Sequence, residues 1–279
     1  MKPIIYAPDR HLKRFKCFGT GPDSGNEAVV IFGGGSSEWS VEDRQRFATL
    51  QNANACVFIN VENDGLGPCI LDFYYPHARS PLCLHASLAA AHYLQTSRVA
   101  EHSRLMLTSM NKQALHYTQS ANEMYVSVTP QPVKMPAPSW DAIANLLGCP
   151  TSAIKVPPAV ASIGSPKLLV EMVSFDALHA LHPDLHGIVE WGKTSAISGC
   201  YAYVHREGQV YEGRNFNHLD ERLEDAATGV AAGALRVLLA RDIILYQGQA
   251  LGNPCRISAS VLDGRVCVGG QVIEMQPSA

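Results

Sequence analysis

Residues 82–94, which read LCLHASLAAAHYL, place a cysteine and a histidine at the start of a run of small and apolar side chains. A helix with almost no polar face is typical of the interior of a protein. A helix N-terminus lowers the pKa of a thiol, and the imidazole of histidine generally titrates near neutral pH. Cys83 and His85 are therefore candidates for acid–base chemistry at the first turn of a buried helix.

A second stretch, residues 224–240 (EDAATGVAAGALRVLLA), repeats this arrangement with carboxylates ahead of the small residues. The first N–H groups of a helix have no partner within it and lie at the positive end of its dipole, so both helix starts can bind a carboxylate. If the two starts face each other, Asp225 and Thr228 flank a bound anion together with Cys83 and His85. The alternative is that Asp225 and Thr228 only cap their helix and that His85 makes a buried polar contact.

The elements that must position these turns follow from the residue pattern of the first half of the chain. Runs of β-branched and aromatic residues predict strands over residues 27–32, 55–61, 69–75, 104–109, 114–119 and 123–130. Helices are predicted over residues 40–51, which begin with a capping serine, and over the small-residue segment 84–95.

A proline-rich joint at residues 129–139 separates this half from a second half with the same plan. Its predicted helices cover residues 140–147, 174–183 and 228–240. Its predicted strands cover residues 167–173, 187–192, 200–206, 256–262, 265–270 and 271–275. The sequence therefore predicts a mixed α/β (α+β) protein with two domains, residues 1–130 and 131–279, each wrapped around a central helix. The last predicted strand could cross over and join the first half.

The composition excludes several classes of protein. A net charge of −3 leaves no basic footprint for nucleic acid, and no apolar run is long enough to span a bilayer. The N-terminal residues do not resemble a secretory signal. Eight cysteines without a C-x-x-C pair argue against a zinc knuckle or a disulfide framework, and for a reducing, cytoplasmic setting in which most of them are buried.

Two further motifs have simple explanations. The segment GGGSS at residues 33–37 lacks the Lys-Ser/Thr ending of a phosphate-binding loop, so it predicts an ordinary turn. His179, His182 and His186 have a spacing that could form a metal-binding face. Because Pro183 interrupts that helix, surface histidines are the better interpretation, and no metal is expected.

The order of four motifs resembles a known family. SGNEAVVI (24–31), PLCLHASLAAAHYL (81–94), SFDALHALHPD (174–184) and EDAATGVAAGAL (224–235) follow one another as they do in the phenazine-biosynthesis PhzF-like proteins. The terminal QGQALGNPCRISASV is similar to the Q-G-x-x-x-G-R-P-S ending of that family, so the resemblance covers essentially the whole chain. It implies the diaminopimelate epimerase fold, in which each of two similar halves is a barrel-like, mostly antiparallel sheet around a central helix.

The resemblance also implies a function and a site. Such proteins are isomerases or epimerases that use no cofactor, have an active site between their halves and are commonly homodimers. His85 matches the histidine of the family motif C-G-H-A-T/P, and Asp225 matches the aspartate of E-D-x-A-T-G-S. The positions expected to line the ligand around them are Ala55, Leu84, Ala86, Ser87, Thr228, Gly229 and Val230. Tyr75, which ends a strand ahead of the Cys–His turn, either lines the ligand or only packs.

The chain departs from the family at this site. The proton-transferring glutamate of the family falls on Ala55, the serine that ends E-D-x-A-T-G-S falls on Val230, and the glycine between Cys and His falls on Leu84. Arg79 and Asn253 replace an acidic residue and the arginine of G-R-P. A positioned general base is worth about 10²–10⁴ in rate, so an alanine should prevent the glutamate-mediated hydrogen shift in its familiar form.

Three groups could take over the proton transfer, namely Asp225, His85 and Cys83. The two-thiol mechanism of epimerases is disfavoured because the second half has no cysteine at the matching position, and in PhzF-like sequences the cysteine looks structural. The sequence hypothesis is an isomerase of secondary metabolism that acts on a small carboxylate-bearing metabolite in an altered site. The alternatives are a lyase or cyclase, an amino-acid epimerase, or a homologue that binds its ligand without catalysis.

Overall fold

The computed structural model describes residues 11–33, 39–61, 67–97, 104–133, 135–217 and 224–276. Most of the turn predicted at residues 33–37 lies outside the described residues. The chain divides into two compact units. The first comprises Met1–Cys17, Asn26–Val126 and Gln271–Ala279, and the second comprises Phe18–Gly25 and Ser127–Gly270.

The first unit consists of short strands and two helices. Its strands are β1 (His11–Cys17), β2 (Asn26–Phe32), β3 (Ala55–Val61), β4 (Cys69–Tyr74), β5 (Arg79–Ser80), β6 (Leu105–Thr108), β7 (Ala114–Ser120) and β8 (Glu123–Val128). Its helices are α1 (Val41–Leu50) and α2 (Leu84–Ser97). The strands and helices predicted for this half are confirmed, whereas the sequence pattern predicts neither β1 nor β5.

Eight strands close into a barrel in the order β1-β2-β3-β4-β6-β7-β8-β16. The last of them, β16 (Arg265–Glu274), ends in this unit and pairs with β1, which closes the ring. Most neighbours are antiparallel, but β2–β3 and β4–β6 are parallel. A parallel pair needs a crossover connection, and α1 and α2 are the crossovers.

Helix α2 is the first of the two buried helices that the sequence predicts. Every residue from Leu84 to Ala91 is buried, and the helix packs against β1, β2, β3 and β4. Its alanines and serine leave little side-chain bulk between the helix and the strands. The polar groups at its first turn are therefore withdrawn from water together with the rest of the helix.

A buried carboxylate fixes the segment that leads into α2. Asp72 on β4 is 2% exposed and accepts hydrogen bonds from Arg44 on α1 and from Arg79 on β5, each at 2.8 Å. The hydroxyls of Tyr74 (2.9 Å) and Ser109 (2.6 Å) also donate to it. Burial by itself raises the pKa of Asp72, but the hydrogen bonds from Ser109, Arg79 and Tyr74 hold that pKa below its ordinary value.

The second unit contains the remaining elements. Its strands are β9 (Ala159–Ala161), β10 (Lys167–Glu171), β11 (Cys200–His205), β12 (Val210–Phe216), β13 (Glu224–Asp225), β14 (Ile243–Gln247), β15 (Cys255–Leu262) and most of β16. Its helices are α3 (Trp140–Leu147), α4 (Phe175–His179), α5 (Leu185–Ser195) and α6 (Gly229–Leu239), with 3-10 turns at Thr151–Ala153 and Gln249–Leu251.

The sheet of the second unit repeats the plan of the first. Its strands follow the order β16-β15-β14-β12-β11-β10-β9, and β13 pairs with β12. The pairs β10–β11 and β12–β14 are parallel. Helix α6 is the crossover between β12 and β14, as α2 is between β4 and β6. Helices α3, α4 and α5 share a separate apolar core with Leu168, Val170 and Cys200 on the outward side of β10 and β11.

Helix α6 is the second predicted small-residue helix, and it packs against β9, β10, β14 and β15. Its buried residues are Gly229, Ala231, Ala232, Gly233, Ala234 and Leu235. A Cβ atom added at Gly233 would lie 2.2 Å from Cδ1 of the buried Ile163. The helix therefore approaches its neighbours at a distance that larger side chains would not allow.

The strand predicted at residues 187–192 is wrong, because this segment lies within α5. The carboxylate of Asp184 accepts a hydrogen bond from the N–H of Gly187 at 2.9 Å and caps the helix. Ile188 and Gly192, one helical turn apart, are both buried. A short apolar run fits a strand or a buried helix equally well, and here the cap decides.

One other prediction of the second half needs correction. The strands predicted at residues 265–270 and 271–275 form one continuous strand, β16. Of the three histidines predicted at the surface, His182 and His186 are exposed. His179 is partly buried, and its Nε2 lies 2.7 Å from Oε1 of Glu212, a residue only 1% exposed. No helix in the described ranges is long and apolar enough to cross a membrane.

Replacing Asp72 by alanine is expected to lower the free energy of unfolding by about 3–5 kcal/mol, because it leaves the guanidinium of Arg44 buried without its carboxylate. Urea unfolding measures this change. The matched control is Asp242→Ala, since that carboxylate is half exposed and lies 3.7 Å from Arg236. An exposed pair of this kind is worth at most about 1 kcal/mol. Equal losses in the two variants would contradict the role given to Asp72.

Candidate active site

Cys83 occupies the position just before α2. Its carbonyl oxygen accepts hydrogen bonds from the backbone N–H (2.9 Å) and from the hydroxyl (2.8 Å) of Ser87. Ser87 is fully buried, so its hydroxyl proton is used within the helix. These two bonds fix the first turn of α2, on which Leu84 and Ala86 are also buried.

The side chains of Cys83 and His85 are in contact. Sγ of Cys83 lies 3.4 Å from Nδ1 and 3.8 Å from Nε2 of His85. The two residues are 1% and 7% exposed, and the backbone carbonyl of His85 accepts a hydrogen bond from the thiol of Cys17 at 3.2 Å. A buried thiol beside an imidazole is the arrangement that activates a cysteine as a base or a nucleophile.

Three neighbours favour the thiolate form of Cys83. Burial by itself raises the pKa of the thiol, but the charge and hydrogen bond of His85 oppose this, together with hydrogen bonds from the N–H of Ala86 and the side chain of Tyr75. The outcome is a pKa of Cys83 below its ordinary value. The N–H of Ala86 belongs to the first turn of α2, where backbone N–H groups have no helical partner. Tyr75 thus contacts the thiol, and its ring also stacks on His77 at 5.8 Å.

Another thiol of the first unit has the opposite character. Burial raises the pKa of Cys56 to about 12, and the charge of Cys83 contributes to the rise. Cys56 lies within β3, next to Ala55, which is 1% exposed and carries no polar group. A strand offers no free N–H groups of the kind that a helix start provides. The position of Cys83 at a helix start therefore explains why its pKa is shifted in the opposite direction from that of Cys56.

In the second unit, Asp225 on β13 is hydrogen-bonded to the start of α6. Its Oδ2 accepts a hydrogen bond from the hydroxyl of Thr228 at 2.5 Å, and its Oδ1 accepts one from the N–H of Ala227 at 3.3 Å. Thr228 occupies the capping position of α6, but its hydroxyl makes no capping hydrogen bond. Gly229 is buried and Val230 partly buried in the first turn that follows.

Gln247 on β14 organises this pair, and the sequence analysis missed it. Its Nε2 donates to the carbonyl oxygen of Asp225 (2.6 Å) and to Oγ1 of Thr228 (3.1 Å). Its Oε1 accepts from the N–H of Thr228 (3.2 Å) and from the hydroxyl of Tyr201 (3.0 Å). Gln247 is fully buried. In the sequence it is the first residue of the terminal QGQALGNPCRISASV segment, which carries the resemblance to the family but does not by itself assign the glutamine a role.

Two of the positions at which the motifs depart from the expected pattern have structural partners. Arg79 belongs to the hydrogen-bond network of Asp72. The side-chain oxygen of Asn253 accepts a hydrogen bond from the N–H of Gly25 at 2.7 Å. The structure thus brings together Cys83 with its neighbours in the first unit, and Asp225 with Thr228 and Gln247 in the second. No group of three His, Cys, Asp or Glu side chains in the described part of the chain could hold a metal ion.

Comparisons with known proteins identify relatives of this chain. The family model for phenazine biosynthesis-like proteins matches residues 15–276. The chain is 27% identical over 256 residues to trans-2,3-dihydro-3-hydroxyanthranilate isomerase from Pseudomonas chlororaphis, which covers 88% of this chain and 87% of that one. It is also 27% identical over 274 residues to a Deinococcus radiodurans protein named an uncharacterized isomerase, with 91% and 88% of the two chains covered.

A solved structure confirms the fold that the motifs predict. A predicted epimerase from Pseudomonas aeruginosa superposes with a TM-score of 0.79 and covers 96% of this chain and 97% of its own. The sequence identity of the two chains is 23%, so this likeness concerns the fold alone.

The thiol of Cys83 is expected to ionise in the pH range below the ordinary pKa of a cysteine thiol. A pH titration of the ultraviolet absorbance of thiolate should therefore lose a component in Cys83→Ala, and His85→Gln should move that component to higher pH. Cys200→Ser is the control, because burial raises the pKa of Cys200 to about 12 and removes it from this range. If the titrations of the wild type and Cys83→Ala were identical up to the ordinary pKa of cysteine, the proposed activation of the Cys83 thiol would be contradicted.

Proposed function

The chain belongs to the phenazine biosynthesis-like protein family, and we propose that it is an isomerase that moves a proton between carbon atoms of a small carboxylate-bearing metabolite. The relative from Pseudomonas chlororaphis is named for the isomerisation of trans-2,3-dihydro-3-hydroxyanthranilate, which is such a carboxylate. The observation that carries the proposal is the contact between Cys83 and His85 at the start of α2. We also propose a role in secondary metabolism, which the match to the phenazine biosynthesis-like family supports.

The contact between Cys83 and His85 supports one acid–base sequence. The thiolate of Cys83 accepts a proton from a C–H group of the substrate, and the electron pair that remains shifts the neighbouring double bond. A proton held by the thiol or the imidazole, where it can exchange with solvent, is then delivered to a different carbon, so the product is an isomer and no atom is gained or lost. His85, with Nδ1 at 3.4 Å from the sulfur, can take up and return the proton that the thiol carries.

Ala55 is the reason for assigning the proton transfer to this pair. By the motif match, Ala55 stands where the family carries its glutamate, and a buried methyl group cannot accept a proton. A base supplied elsewhere must restore the ~10²–10⁴ in rate that such a group contributes. Leu84 and Val230 also replace a glycine and a serine of the family motifs, which favours a substrate with an apolar portion.

Asp225 is the second group that we assign to proton transfer. Its carboxylate is oriented by Thr228 and Ala227, and its backbone carbonyl is held by Gln247. A carboxylate fixed in this way costs little reorganisation when it accepts or donates a proton.

Incubation with trans-2,3-dihydro-3-hydroxyanthranilate and a panel of amino and hydroxy acids in deuterated water tests this function. We expect deuterium to enter a C–H position of at least one compound, detected by mass spectrometry. Cys83→Ala, His85→Gln and Asp225→Asn should each slow the exchange by about 10²-fold or more. The controls are Asp242→Asn and His205→Gln, whose side chains are exposed, and they should retain the wild-type rate.

The result separates the proposed enzyme from its main competitor. Full exchange in one of the three site variants would remove that residue from the mechanism. Binding without exchange across the whole panel would instead support a homologue that binds a carboxylate and has lost catalysis, which the alanine at position 55 favours.

A further inference from the structure

Among the residues that the structure describes, two of the buried polar side chains of the second unit that lack a full set of hydrogen-bond partners lie on neighbouring parts of its sheet. Lys167 on β10 is 4% exposed and Asn215 on β12 is 2% exposed. Polar groups buried to this extent are normally fully hydrogen-bonded, and an exception calls for an explanation such as a ligand. Neither residue belongs to the motifs that connect the chain to its family.

Lys167 points toward the side of β10 on which α6 packs. Successive side chains of a strand alternate between its two faces. Leu168 and Val170 lie in the outward apolar core with α3, α4 and α5, so Lys167 and Leu169 face the opposite side. The helix packed on that side of β10 is α6.

The ammonium group of Lys167 donates fewer hydrogen bonds to the described residues than it is able to. It can donate three hydrogen bonds. Within the described ranges it donates one, to the carbonyl oxygen of Ser198. Burial lowers the pKa of Lys167 to about 8, while the negative charge of Asp225 opposes that shift and so lies within electrostatic range of the amine.

Asn215 presents the complementary group. It is the cross-strand partner of Tyr201 on β11 and of Asp225 on β13, so the three side chains share one face of the sheet. Its Oδ1 is shielded from solvent and accepts no hydrogen bond from any described residue. The polar groups around it are already engaged, since Tyr201 donates to Gln247, and Gln247 donates to Asp225 and Thr228.

We propose that Lys167 and Asn215 bind the ligand in the second unit, with Lys167 donating to a carboxylate and Asn215 Oδ1 accepting from an amino or hydroxyl group. The ligand class is then an amino- or hydroxy-carboxylate. This inference rests on the proposed function and names the residues that select its substrate.

The charges of the second unit agree with this assignment. A carboxylate brought near Asp225 would meet a like charge, which disfavours binding. The ammonium of Lys167 offsets that repulsion, and its two remaining N–H donors match the oxygens of a carboxylate. An acceptor such as Asn215 Oδ1 rejects a ligand that lacks an N–H or O–H group at that point, because the acceptor would stay unpaired.

Three aromatic probes separate the two contacts, with affinities measured by ligand-observed NMR. 3-Hydroxyanthranilate carries a carboxylate, an amino and a hydroxyl group, 2-aminophenol lacks the carboxylate, and benzoate carries only the carboxylate. Lys167→Met should weaken binding of 3-hydroxyanthranilate and benzoate about tenfold or more and leave 2-aminophenol unchanged. Asn215→Leu should weaken 3-hydroxyanthranilate and 2-aminophenol and leave benzoate unchanged. Lys155→Met is the control, since that lysine is exposed and pairs with Glu171.

The outcomes decide the inference separately from the proposed function. Equal weakening of all three probes, no weakening, or a wild type that binds none of them would overturn it. A thermal-unfolding scan without ligand adds a second criterion: both variants should unfold at or above the wild-type temperature, and marked losses in both would show that the residues are structural. Deuterium exchange that persists at the wild-type rate in Lys167→Met would refute this inference alone, whereas selective binding without exchange would refute only the proposed isomerase.

Discussion

Polar groups at the start of a buried helix must find their partners inside the protein, because water does not reach them. Both central helices of this chain obey that constraint. At the first turn of α2 the sulfur of Cys83 accepts a hydrogen bond from the N–H of Ala86 and contacts His85 and Tyr75. Just ahead of α6, Asp225 accepts from the N–H of Ala227, and Gln247 accepts from the N–H of Thr228. The small residues allow each central helix to be buried within its unit. Because the helix is buried, the polar groups at its start are held in contact with the reactive side chains.

The buried polar groups divide into satisfied and unsatisfied sets. Asp72 receives four hydrogen bonds and serves the fold by holding β4, β5 and α1 together. Lys167 and Asn215 are equally withdrawn from solvent but are incompletely paired by the residues that the structure describes. A ligand would complete the second set, whereas it would add nothing to the first. This difference, together with the position of both side chains on the sheet face that carries Asp225, is why Lys167 and Asn215 are assigned to binding.

Local sequence patterns predict the helices and strands well where the repeat of the buried residues is clear. The small-residue runs become α2 and α6, and the β-branched runs become β2 and β3, because these patterns reflect burial of whole faces. The segment 187–192 was wrongly predicted as a strand. A run of six residues is too short to show whether its apolar side chains repeat with the period of a helix or with that of a strand. Cys83, His85 and Asp225 stand out by type and spacing. The roles of Gln247 and Asn215 cannot be read from type and spacing, because they depend on strand registers between distant segments.

A joint X-ray and neutron structure at a pH equal to the ordinary pKa of cysteine, where a lowered pKa makes the thiolate the main form, tests most directly the claim that α2 begins with an activated thiolate. The predicted result is deuterium on Nδ1 of His85 and none on Sγ of Cys83, with the N–H of Ala86 directed at the sulfur. Deuterium bound to the sulfur, facing an unprotonated Nδ1, would contradict the account.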